Sequence, residues 1–128
     1  MPITVQFMEE ERALLVTLVD PWTKIELERA FKEDQMYRDL FAEAHPGIAI
    51  DMICDVKNGN KTYSNVLYGR KSPSFSHITK GLAIAVGASP LVQRLMSVVI
   101  GTVQRKRTLY FADTIEEALT IIHKKREI

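Results

Sequence analysis

Apolar and polar positions alternate along the start of the chain. Ile3, Val5 and Phe7 stand against Thr4 and Gln6, the period-two signature of a half-buried strand. After the polar run Met8-Glu9-Glu10-Glu11-Arg12, residues Ala13 to Val19 read as a second, more buried strand, so the chain opens as a hairpin. The period then changes to that of a helix. Thr23 and Glu26 have capping-box spacing, and Leu27, Ala30 and Phe31 share one face with charges around the rest. The helix continues through Met36, Tyr37, Leu40 and Phe41, with a break near Asp34, until His45-Pro46-Gly47 stops it.

Three strand-and-connection units follow. Ile48 to Val56 is a near-continuous apolar run of the kind found in a parallel sheet covered on both faces. Lys57-Asn58-Gly59-Asn60 is a loop, Thr62 to Gly69 a short helix, and the Pro- and hydroxyl-rich stretch to Lys80 a loop with one helical turn. Leu82 to Val86 is a buried strand, after which Ser89 caps and Pro90 opens a helix running to about Gln104. Thr108 to Ala112 is the last strand, and Thr114 with Glu117 caps the last helix, whose stripe is Ile115, Ala118, Leu119 and Ile122. The order ββαβαβαβα predicts a single α/β domain over residues 1–128. It has a mainly parallel sheet, an antiparallel N-terminal hairpin and packed helices.

Composition excludes several classes. Hydrophobic residues at 46% and charged residues at 26% suit a globular domain rather than a disordered chain. One cysteine, Cys54, permits no internal disulfide, and in an apolar strand it reads as a small buried hydrophobe. The N-terminus lacks the pattern of a signal peptide and no apolar run approaches 18 residues, so the expected location is cytoplasmic. Charge changes the picture more. Residues 1–56 carry twelve acids and five bases, residues 57–128 four acids and twelve bases, and no acid falls between Lys57 and Ala112. Such a split marks an anionic partner, mutual attraction between subunits, or a field that cancels when the halves interleave.

No phosphate-binding glycine loop, nucleophile elbow or metal-ligand spacing occurs, so no catalytic site, metal or cofactor is expected. The basic tract lacks interleaved stacking aromatics, which argues against nucleic acid. Ligands of open α/β sheets bind beyond the carboxyl ends of the strands. The candidate ligand residues there are Lys57, Asn58, Ser64, Arg70, Lys71, Gly87, Ser89, Asp113 and Thr114, suiting an anionic or lipophilic small molecule. The helix after Pro90 leaves only a narrow polar stripe. Leu91, Leu95, Met96, Val99 and Val103 therefore offer apolar surface to a second copy in a homodimer, another protein, a lipophilic ligand or a membrane surface.

The strand order, the unit Val86-Gly87-Ala88-Ser89-Pro90 and the run Phe111-Ala112-Asp113-Thr114-Ile115-Glu116-Glu117-Ala118 resemble the STAS fold of SpoIIAA-like proteins. The resemblance implies a non-enzymatic regulatory or protein-interaction module. It also implies a phosphorylatable serine at the start of the helix after the third strand. The nearest position is Ser64, where Tyr63-Ser64 replaces the family's Asp-Ser pair.

Overall fold

The computed structural model describes residues 2–101 and 109–126, with backbone alone over 99–101. Val103, Arg105, Lys106, Arg107 and the side chain of Val99 lie outside what is described. Five strands form one sheet: β1 (Ile3–Met8), β2 (Ala13–Val19), β3 (Ile50–Asn58), β4 (Lys80–Val86) and β5 (Leu109–Ala112). The helices are α1 (Lys24–Ala44), α2 (Pro90–Gly101) and α3 (Ile115–Arg126). Between β3 and β4 the chain forms two 3-10 segments, Asn60–Lys71 and Pro73–Phe75.

The strands lie side by side in chain order, β1-β2-β3-β4-β5. β1 pairs antiparallel with β2, and every later pair is parallel. Crossovers of one hand that always step the same way along a sheet must all pass over the same face. Accordingly α1, the 3-10 segments and α2 cover one face, where Leu27, Ala30, Val66 and Val92 meet Leu14, Val16, Met52 and Ala83. α3 covers the other, where Ala118 and Ile122 meet Ala13, Ile53, Ile84 and Val86.

The expected break in α1 near Asp34 is absent, and the helix runs unbroken for 21 residues. Asp34 turns inward to an ion pair with Arg38 one turn on, and both side chains are buried. β3 extends to Asn58, and the short helix expected over Thr62–Gly69 is a longer 3-10 segment kinked at Thr62. In this segment only Val66 is buried, so there is no apolar stripe to hold an α-helix against the sheet. Among the described residues no helix is long and apolar enough to cross a membrane.

Candidate functional site

The site begins in the alternation of β4. Leu82, Ile84 and Val86 point to the α3 face, while Ala83 and Ala85 point to the other. Two methyl groups fill little space beneath the covering layer. Above them lies a cavity of about 90 Å³. Its floor continues across Met52, Cys54 and Val56 of β3, and its roof includes Leu27 and Phe31 of α1, Val66 and Phe75 of the 3-10 segments, and Val92 and Met96 of α2. Protein interiors hold few voids larger than a water molecule. A hydrocarbon-lined space of this size costs about 2 kcal/mol in lost packing, at roughly 24 cal/mol per Å³.

The few polar groups in the lining have partners or are neutral. Trp22 Nε1 donates to Gly59 O at 3.0 Å, and Ser72 Oγ accepts from Ser74 N at 3.1 Å. Burial, reinforced by the neighbouring Asp55 carboxylate, pushes the Cys54 thiol up to about 12, so it stays protonated. Such a lining can exclude water and hold a hydrocarbon group; it offers no nucleophile or general base.

The carboxyl ends of the strands are arranged differently. Asn60 spans the exits of β3 and β4, donating from Nδ2 to Gly87 O at 2.9 Å and accepting at Oδ1 from Ser89 N at 2.9 Å. Gly87 has φ +71°, and a Cβ there would lie 2.8 Å from the Lys57 Cβ, so glycine lets the two exits close together. Ser89 Oγ caps Val92 N at 3.2 Å, and Thr114 Oγ1 caps Glu117 N at 3.1 Å. Lys57, Asn58, Gly87, Ser89, Asp113 and Thr114 thus share one edge, but the donors just named are engaged within the chain. Ser64, Arg70 and Lys71 are exposed on the 3-10 segment instead. Of the apolar α2 positions, Leu91 is exposed, while Leu95 and Met96 pack on the core and Met96 lines the cavity.

Two polar arrangements escape a reading of the sequence. Asp20 caps the start of the 3-10 segment, accepting from Lys61 N at 2.9 Å, Thr62 N at 3.0 Å and Thr62 Oγ1 at 2.5 Å. Burial would raise its pKa, but the Thr62 hydroxyl and the two backbone donors together hold it below the usual value. At the opposite end of the sheet Arg38, fully buried, donates to the backbone oxygens of Ile50 and Thr79 and to Ser74 Oγ. His77 extends this cluster outward, with Nδ1 2.9 Å from Thr79 Oγ1 and Nε2 2.7 Å from Asp39. The Asp34–Arg38 spacing is visible in the sequence, but nothing there distinguishes it from an exposed i,i+4 pair. Ala83 and Ala85 did carry a signal, a strand small on one face and large on the other. Among the described residues no three His, Cys, Asp or Glu side chains are grouped to hold a metal ion.

No protein-family model matches the chain, and neither the curated proteins nor the solved structures give a match.

Proposed function

We propose that this chain is a non-enzymatic, STAS-like binding module whose ligand is a small lipophilic molecule held in the cavity over Ala83 and Ala85. The observation that carries the reading is the lining, almost wholly hydrocarbon and built over two alanines in an interior strand of the sheet. A cavity of ~150 Å³ with such walls takes up benzene. One of about 90 Å³ suits a slightly smaller group or a short alkyl chain. The unbranched Met52 and Met96 can re-pack to admit more. The donors at the strand ends are engaged in capping, which favours the lipophilic ligand over the anionic one at that edge. A regulatory role would follow from filling the cavity, which would tighten the packing of α2 and the 3-10 segment on the sheet.

The test is a titration of the isotopically labelled chain with 1-alkanols from propanol to octanol, followed by methyl chemical shifts. Affinity should rise about fourfold per methylene, from roughly 0.8 kcal/mol per CH₂ buried, and level off when the cavity is full. The saturating shifts should fall on Val66, Val92, Met52 and Met96. Ala83→Leu, which places a larger side chain in the same space, should abolish them. Shifts that never saturate, or that persist unchanged in Ala83→Leu, would sink the reading.

A further inference from the structure

The roof of the cavity has an outer side as well, and the chain's charge split comes to rest there. In the 3-10 segment side chains three apart stand in line. Ser64, Leu67 and Arg70 accordingly form one exposed row, with Lys61 before it and Lys71 beside it. On α2, which packs against this segment, Val92 and Met96 turn inward. Leu91, Arg94 and Val98 share the opposite face. The apolar members of the surface are well exposed: Leu67 50%, Leu91 49% and Val98 63%. Four bases, Lys61, Arg70, Lys71 and Arg94, are interleaved with them, and neither element contributes an acid.

Chain-ordered strands set most of this surface away from the acidic half, which meets it at Asp20, the carboxylate that caps Lys61 and Thr62. The acid-rich first 56 residues build β1, β2, α1 and most of β3, at one side of the sheet. The acid-free stretch from Lys57 builds the other side. We propose that the outer surface of the 3-10 segment and α2 docks on an anionic lipid bilayer. Bases would sit at the headgroups, and Leu67, Leu91 and Val98 would enter the boundary below. Rows of exposed apolar side chains set among bases match an interface that deforms around them and carries negative charge. The inference does not depend on the cavity being filled.

The experiment is co-sedimentation of the full chain with vesicles of phosphatidylcholine alone or with 30% phosphatidylglycerol, at low and high salt. The chain should partition to the anionic vesicles, at least tenfold less to neutral ones, and release as salt screens the bases, about fivefold being associated with each base near the surface. Arg70→Glu/Arg94→Glu should lower partitioning at least tenfold. Leu67→Ser/Val98→Ser should lower it at fixed charge. Ile25→Ser, at an exposed apolar position on α1, should leave it unchanged; all these positions are at the surface. Equal binding to neutral vesicles, or indifference to the Arg pair, would overturn the proposal. So would an equal loss with Ile25→Ser. A 20-nucleotide RNA bound more tightly than the vesicles would overturn it in favour of nucleic acid. Low-salt self-association that the Arg pair abolishes, without vesicle binding, would overturn it in favour of a second copy of this chain.

Discussion

At the residue scale, the two most consequential positions are a charged pair inside and a pair of alanines in a strand. Arg38 and Asp34 are buried, and Arg38 reaches α1, β3 and the start of β4 through a single guanidinium. Removing one partner leaves the other charge buried without compensation, which typically costs 3–5 kcal/mol. Arg38→Ala should therefore destabilise the fold by about that much in urea, whereas Asp34→Leu/Arg38→Met should cost far less. Equal losses would show that packing volume, not charge compensation, governs the site. Cys54 gives a second check. With its thiol raised to about 12, it should react with iodoacetamide much more slowly than an exposed thiol at pH 8. Reaction at the rate of the urea-unfolded chain would contradict a protonated thiol facing an apolar cavity. The charged pair was illegible because an i,i+4 pair looks alike on either side of a helix. The alanines were legible, as alternation of small and large side chains in Leu82-Ala83-Ile84-Ala85-Val86.

Among the elements, legibility followed whether the backbone's own chemistry was written locally. The hairpin, the Thr23 and Thr114 caps and the Ser89-Pro90 start all form where residue type and spacing place them. The 3-10 segment does not, since its geometry is dictated from 40 residues away. Asp20 caps it, and Trp22 binds Gly59 O and, through its own carbonyl, Asn65. The Asp20 pKa is lowered in the folded state. Its contribution to stability is complete at pH values above the unfolded carboxylate value of ~3.9 and is lost as pH falls through the folded value. The stability difference between the native chain and Asp20→Asn should therefore be constant near neutrality and shrink on acidification below about pH 4. A difference that grows on acidification would mean that the charged form is not the one the Lys61 and Thr62 donors stabilise. The same substitution should speed hydrogen exchange in residues 61–66 more than in β3, because it loosens an element pinned by capping rather than by a core.

For the whole molecule, strand order decides what charge does. A net charge of +1 predicts weak interaction with either sign of surface if charges are mixed. A sheet traversed in one direction does not mix them. It carries the −7 of residues 1–56 to one side and leaves six bases with no acid over residues 57–101 on the other. The two halves meet where Arg126 holds Asp51 at 2.8 Å at the amino ends of the strands, and where Asp20 caps Lys61 and Thr62 at the carboxyl ends. Flanks separated by more than a Debye length, ~10 Å at 0.1 M salt, act on a charged surface almost independently. The chain should therefore be retained at pH 7 and low salt on both cation and anion exchangers, despite its near-zero net charge. Retention on both should vanish near 0.15–0.3 M salt as screening shortens the range. Arg70→Glu/Arg94→Glu should release it from the cation exchanger while strengthening retention on the other. Flow-through on both resins in 20 mM buffer would show that the halves neutralise each other in solution. The charge argument for the docking surface would then fail, while the cavity, which rests on packing alone, would stand.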